Sequence, residues 1–462
     1  LATLAVSFPQ GEGRLRASFP GWEALNQQEL FVEMERFLSG LDLKRTVFRS
    51  DHASNWLVLK GTLGRDKERL LGQLRAAIAA PAALAQDNAS TASIKPLVLL
   101  VSLDGFKPSY LSEDATPHLL ALAKQGVLAQ GLISSFPSLT FPNHVTLVTG
   151  QTPDHHGIVN NTMVDPDSPQ RFSLGSREAV ENPFWWQDSR PLWITAQQHG
   201  KVASTLFWPG SETSIQGMRP HDWLRYEHSM THEARLDTLF TWLTRPQDQR
   251  PDFATLYLSD VDSAGHSAGP DSGAVKEAVK KVDKTIGGLV SLLKQHGFLE
   301  HTTLVIVSDH GMALSPPSQI ISVQSILANF PAARWEWQGA TSGVRLNGES
   351  QEGVIKALST LSHVACWPKG DMPKRFKFGT HKRIPEIVCL SDVGYSVTDN
   401  PTQKGPLGQH GYDPEHPDMH GILIVSGPRI QQRRIGLVSN LEVHGMLSRA
   451  LNIAPGKTDG ED

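Results

Sequence analysis

The sequence predicts an α/β fold, with a mostly parallel central sheet flanked by helices and insertions that shape a pocket beside it. Three observations carry this. Apolar runs without polar alternation recur at 97–101, 202–207, 253–258, 304–307 and 422–425, as strands buried on both faces require. The segments between them, such as 274–296, are long enough for the crossover helices of parallel pairing. Acidic residues directly follow several of these runs, and open parallel sheets present their ligand crevice at that edge.

Taken in order, residues 64–78 have the spaced apolar positions of an amphipathic helix. A small-residue, polar stretch punctuated by Pro81 and Pro96 follows and reads as a linker. This divides the chain into an accessory segment at 1–80, a linker at 81–95, a domain at 96–455 and a tail at 456–462. Stretches around 160–195 and 330–400 carry Trp, Pro and Gly without clear periodicity and are expected to be the insertions. The 462 residues are 39% hydrophobic and 19% charged, ordinary values for a folded chain. Lys+Arg 43 against Asp+Glu 47 gives a net charge of -4, so no basic footprint marks a specific nucleic-acid partner or an acidic membrane. No apolar run is long enough for a membrane span. Two cysteines, Cys366 and Cys389, exclude a disulfide framework and an all-cysteine metal site, and leave their own pairing open. No intact signal peptide is visible; ALAQ at 83–86 resembles a cleavage site only weakly.

The chemistry lies at the strand ends. Asp104 closes the first run, Asp262 and His266 follow the third, and Asp309 and His310 close the fourth. Any one of these aspartates suits an ordinary turn. Three converging carboxylates repel one another unless a cation sits among them, and no Lys or Arg occurs inside these motifs. Mixed Asp and His ligation without Cys suits zinc or another first-row divalent ion. Thr140, in SSFPSLTFPNHVTLVTG at 134–150, is the candidate nucleophile, because metal coordination activates a hydroxyl that is otherwise inert at neutral pH. A helix beginning near Pro142 would add its N-terminus to a bound phosphate, and Asn143 could donate its amide to a developing oxyanion. Without the metal cluster both residues would be read as helix caps.

VSLDGF at 101–106, SLTFPNHVTLVTGQTPDHHGIVNN at 138–161, FWPGSE at 207–212, DSAGHSAGP at 262–270, SDHGM at 308–312 and HGYDP at 410–414 resemble the nucleotide pyrophosphatase/phosphodiesterase family of the alkaline phosphatase superfamily. The resemblance spans about residues 96–455 and keeps the family's motif order. It implies an alkaline phosphatase-like fold and two zinc ions, one held by Asp262, His266 and His410 and the other by Asp104, Thr140, Asp309 and His310, with Asn143 as a further phosphate contact. The HGYD pattern selects His410 over His416 and His420; these two, with His155 and His156, are expected to be solvated loop histidines. Thr140 would attack a phosphodiester or phosphoanhydride, form a nucleotidyl-threonine ester and yield a nucleoside 5′-monophosphate on hydrolysis. Phe141 would stack on the base, with Trp223 or Tyr226 as the opposite wall, and the location would be periplasmic or secreted.

The sequence departs from the family in places. SDVD at 259–262 stands where a Glu-Pro-Asp run is expected, making Asp260 a weaker rival to Asp262, and HGYDP replaces HGYDN. The cysteine-rich modules and nuclease-like tail of the animal ectoenzymes have no counterpart, so the resemblance is to the compact microbial versions. Other readings within the superfamily are a lysophospholipid or choline phosphodiesterase and a phosphomonoesterase or phosphonate hydrolase; outside it stands a catalytically silent metal-binding module. A sulfatase is excluded by the lack of its Cys/Ser-x-Pro-x-Arg run. Residues 46–71 weakly resemble the tail of certain radical-SAM proteins, without the cysteine triad that holds their cluster, so no chemistry transfers.

Overall fold

The computed structural model describes residues 27–50, 59–79, 94–400, 402 and 405–460. Apart from residues 94 and 95, the linker expected at 81–95 lies outside them. The chain divides into two compact units, Leu1–Ile94 and Lys95–Asp462.

In the first unit, helix Gln27–Gly40 and helix Leu63–Ala79 accompany an antiparallel pair, Val47–Ser50 with Leu59–Thr62. The amphipathic pattern read at 64–78 is the second of these helices. Its Leu70, Leu71 and Leu74 share a core with Phe31, Leu38, Phe48 and Leu59.

The second unit is built on one eight-stranded sheet. Its strands are β1 (Leu97–Leu103), β2 (Val127–Ile133), β3 (Ala203–Leu206), β4 (Asp222–Leu224), β5 (Phe253–Leu258), β6 (Thr302–Val307), β7 (Leu423–Ser426) and β8 (Arg433–Ser439). They lie in the order β8-β2-β7-β6-β1-β5-β3-β4. All seven residues of β1 are buried, as its unbroken apolar run requires. Helices flank the sheet, among them Gly273–Gln295, the crossover read at 274–296. Ser272 caps that helix by accepting from Val275 N.

One strand differs from expectation in direction. β7 runs antiparallel to both neighbours, β6 and β2. An apolar run carries no mark of its direction, so sequence alone could not tell. The reversal matters for function: the amino end of β7 lies at the edge where β6 ends, with Leu423 paired to Val307. The loop carrying His410 is thereby delivered to the edge that carries Asp104, Asp262 and Asp309.

The stretch 330–400 forms a four-stranded antiparallel sheet, in the order Arg334–Trp337, Thr341–Arg345, Ile387–Ser391, Val364–Pro368. Cys366 and Cys389 face each other across two of these strands and are joined by a disulfide. The expected tail is tied down: Asp459 Oδ2 accepts from Thr152 N, at 2.7 Å, and from His155 Nδ1, also at 2.7 Å. Among the described residues no helix is long and apolar enough to cross a membrane.

Two of the four histidines expected to be solvated are buried, His156 and His420, whereas His155 is exposed and His416 half-buried. His156 bonds Thr146 Oγ1 at 3.1 Å. Burial pushes His156 down to about 3 and His444 down to about 4, so both stay neutral in the folded protein while unfolded histidines take up protons near 6.5. The unfolded state therefore binds more protons below pH 6.5, and stability falls as pH drops through this window, by roughly 1.4 kcal/mol per pH unit and group. The urea midpoint is expected to decline steadily from pH 6.5 to 4.5; a flat profile would contradict the neutral, buried assignment.

Candidate active site

The carboxyl edge of the sheet gathers the acidic residues through backbone register. Leu103 pairs with Leu258, and the ladder continues as Asp104 N donates to Leu258 O (2.9 Å) and Asp262 N to Asp104 O (3.1 Å). Gly105 makes this approach possible. Its φ is +67°, and a Cβ there would lie 3.0 Å from Asp262 Cα. Helix Asp260–Ala268 then places Asp262 and His266 one turn apart on the same face.

Thr140 is the first residue of helix Thr140–Thr149, two positions before the expected start. The small polar loop before it is stitched to the site from three sides. Ser134 Oγ donates to Asp309 O (2.8 Å), Ser135 Oγ to Asn440 Oδ1 (2.9 Å), and Ser138 O accepts from His410 Nδ1 (2.8 Å). Thr140 Oγ1 ends 3.2 Å from His310 Nε2.

The three histidines share a second feature. His266 Nδ1 donates to Gly408 O (2.8 Å), His310 Nδ1 to Gly311 O (2.9 Å) and His410 Nδ1 to Ser138 O. A carbonyl only accepts, so each neutral ring directs a bare Nε2 lone pair inward, the tautomer a metal ligand needs. His266 Nε2 and His410 Nε2 lie 3.2 Å apart, and Asp262 Oδ1 is 3.4 Å and 3.6 Å from them. His310 Nε2 is 3.0 Å from Asp309 Oδ2 and 3.6 Å from Asp104 Oδ1.

Those same three carboxylate oxygens, Asp104 Oδ1, Asp262 Oδ1 and Asp309 Oδ2, are buried without a hydrogen-bond partner. Leaving buried polar groups unpaired costs at least about 1–3 kcal/mol each, more when charged. Acceptors converge here without donors, and divalent cations fit that donor set. The electrostatics agree: burial and the charges of Asp309 and Asp262 push Asp104 well above the usual carboxylate range. Burial also opposes ionisation of Asp309, yet without a metal the protonated forms of His310 and His144 hold it below its ordinary value, the place a cation takes when the rings are neutral.

His144 closes the rear of the site. Its Nδ1 donates to Thr140 O and its Nε2 accepts from Ser102 Oγ, both at 2.8 Å, and Asp309 Oδ2 is 3.4 Å from Nδ1. With both nitrogens engaged it supports the ligands and the nucleophile turn. Asp260 is likewise spent, bonding His232 Nε2 (2.7 Å) and Lys281 Nζ (2.6 Å), which leaves Asp262 without a rival.

A cavity of about 520 Å³ opens over Asp104, Thr140, Asp262, His266 and His410. Phe141 and Tyr226 line it with Trp208 and Phe207, whereas Trp223 does not. Trp223 sits on the edge strand β4, under the guanidinium of Arg219, whose Cζ is 4.8 Å from the ring. Asn143 is also displaced from its expected role. It is fully buried; its Nδ2 donates to Pro137 O and Leu139 O, both at 2.9 Å, and its Oδ1 accepts from Ser135 N and Asn440 Nδ2, both at 2.8 Å. No amide hydrogen remains for an oxyanion. Asn161 stands on the cavity wall instead, its Oδ1 accepting from Phe141 N (2.9 Å). The signal in sequence was the polar doublet ending HGIVNN, in a stretch with no periodicity to orient it.

Residues 98–413 match the family model described as type I phosphodiesterase/nucleotide pyrophosphatase. The chain belongs to this family. A fission-yeast member from Schizosaccharomyces pombe, named a pyrophosphatase/phosphodiesterase, is 33% identical over 81% of this chain and 80% of its own length. Ectonucleotide pyrophosphatase/phosphodiesterase family member 3 of Bos taurus is 35% identical over 79% of this chain, which spans only 43% of that relative. Human ectonucleotide pyrophosphatase/phosphodiesterase 5 superimposes with a TM-score of 0.76 at 30% identity, covering 79% of this chain and 97% of its own. An inactive threonine-to-alanine variant of the murine protein, in complex with AMP, gives 0.75 at 28% identity over the same shares. The family match begins within β1 and ends within HGYDP, so it encloses Thr140 and all of the clustered Asp and His residues, though not Asn440.

Proposed function

We propose that this chain hydrolyses nucleotide phosphodiester and pyrophosphate bonds in a metal-dependent reaction through a nucleotidyl-threonine ester on Thr140, releasing a nucleoside 5′-monophosphate. The observation that carries the reading is the set of three orphaned carboxylate oxygens and three inward Nε2 lone pairs around the hydroxyl of Thr140, beneath an aromatic-walled cavity. Family membership supports it, as does the AMP complex of the murine neighbour. Human ENPP4, 32% identical over 80% of this chain, is named a bis(5′-adenosyl)-triphosphatase, a pyrophosphate-cleaving activity.

Asp262, His266 and His410 would hold one zinc ion and Asp104, Thr140, Asp309 and His310 a second, supplying the Lewis acidity that activates the threonine hydroxyl and offsets phosphate charge. Thr140 Oγ1 attacks phosphorus, the alcohol or nucleoside phosphate departs, and the ester is carried at the amino end of a helix whose dipole favours the anion. Water then attacks phosphorus, the bond to Thr140 Oγ1 breaks, the hydroxyl regains a proton, and the nucleoside 5′-monophosphate leaves through the cavity, whose wall includes half-buried His266. Phe141 and Tyr226 offer faces for a base, a contact worth roughly 1–3 kcal/mol and tolerant of base identity. Among the described residues that line the cavity Arg177, exposed on its wall, is the one Arg or Lys, so beyond the proposed metal charge the site offers little for the second charge of a monoester. A periplasmic or secreted location and an accessory role for residues 1–80 belong to the same reading.

The amide of Asn161 takes the oxyanion role vacated by Asn143. Asn161→Ala is expected to lower kcat by about 100- to 1,000-fold with KM nearly unchanged; a wild-type kcat would remove it from the mechanism. The assignment as a whole is tested by comparing thymidine 5′-monophosphate p-nitrophenyl ester, p-nitrophenyl phosphate and p-nitrophenyl phosphorylcholine on zinc-loaded protein. The nucleotide diester is expected to be the best substrate. Preference for the choline ester would move the substrate to lipids, and preference for the monoester would overturn the diesterase reading.

A further inference from the structure

The two oxygens of Asp104 have different surroundings. Oδ2 accepts a hydrogen bond from the hydroxyl of Tyr257 at 2.6 Å. Oδ1 is the buried, unpartnered oxygen that faces His310 Nε2. Tyr257 is itself closely held. It lies on β5 with its backbone paired to Ser102 on β1, and Arg235 donates to its carbonyl at 2.7 Å. Its ring meets those of His144 and Tyr226 edge-on, with centroids 5.3 Å and 5.9 Å away. Asp104 sits in the turn that follows β1, and although its backbone still bonds Leu258 O and Asp262 N, those bonds do not set the rotation of its carboxylate. The phenol supplies that missing constraint, anchored to the neighbouring strand.

We propose that Tyr257 is a positioning residue for Asp104: its hydroxyl selects the carboxylate oxygen turned toward the metal cluster, and so sets the affinity of the Asp104–Asp309–His310 site but not that of the Asp262–His266–His410 site. Groups bonded to metal ligands typically change affinity by about 10- to 100-fold when removed. The inference rests on the two-metal reading above.

The test uses the full chain, stripped of metal and titrated with zinc against a chromophoric chelator. Tyr257→Phe keeps the ring and its packing and removes only the hydroxyl. Wild-type protein is expected to take up two zinc ions; the variant is expected to keep one at wild-type affinity and bind the other about 10- to 100-fold more weakly. Tyr226→Phe provides the comparison, since that hydroxyl bonds Ser259 Oγ and His228 Nδ1 rather than a carboxylate, and both affinities are expected to persist. Two wild-type affinities in Tyr257→Phe would overturn the inference and leave the two-metal reading standing. Equal weakening of both sites, with a lowered melting temperature of the metal-free variant, would overturn it in favour of a general packing role. Absence of zinc uptake by the wild type would instead remove the metal reading and this inference together.

Discussion

Thr140→Ala is expected to cost at least about 1,000-fold in turnover of the nucleotide diester, or roughly 4 kcal/mol of transition-state stabilisation, while folding is retained. The asymmetry follows from what the hydroxyl touches. Thr140 Oγ1 is within hydrogen-bond distance of His310 Nε2, its side chain is half-buried, and the position opens a helix in which alanine is the better former. Removing the hydroxyl therefore leaves no buried donor stranded and no cavity in the core. The other proposed ligands of the same cluster, Asp104, Asp309 and His310, remain, so zinc content is expected to stay near that of the wild type. Thr140→Ser, which keeps a hydroxyl, should restore measurable turnover. If the alanine variant hydrolyses the diester within tenfold of the wild type, the covalent route through Thr140 is wrong.

Stripping the metal is expected to have an effect as large, with a different signature. Dialysis against a strong chelator should abolish turnover, and zinc should restore it. The melting temperature should also drop by several degrees, because an ion held only by the folded state contributes about 2.7 kcal/mol at a hundred times its dissociation constant. The cause is visible in the site: Asp104 and Asp309 are each 1% exposed, and their unpaired oxygens face one another's charge once no cation separates them. Recovery with zinc but not with magnesium would match the imidazole share of the ligand set. Unchanged turnover in chelator would defeat the metal-dependent reading while leaving the fold untouched.

Much of this was legible in the sequence for one reason: buried strands announce themselves as unbroken apolar runs, and the residue after such a run lies at the sheet's edge. The run at 253–258 is strand Phe253–Leu258 to the residue, and Asp104, Asp262 and Asp309 converge as their positions after the runs predict. What escaped depended on contacts between distant segments. The reversed direction of β7 is set by the path of a long connection, which leaves no trace in LIV-type residues. Asn143 and Asn161 are the same residue type in the same motif; only the loop's fold decides that one is consumed by Pro137, Leu139 and Asn440 while the other faces the cavity. Trp223 shows the same limit, since an aromatic near a motif is equally at home on an outer strand capped by Arg219.

The clasp between Asn143 and Asn440 joins residues 297 positions apart. Asn440 precedes the last helix of the unit, Leu441–Ala450, and Ser135 grips the same side chain. The turn that aims Thr140 thus has no complete scaffold until residue 440 has been synthesised. Such distant contacts make for slow folding, and they also impose an order on biosynthesis: a nascent chain that stops short of Asn440 carries the proposed metal ligands yet lacks the side chain that locks the turn before Thr140.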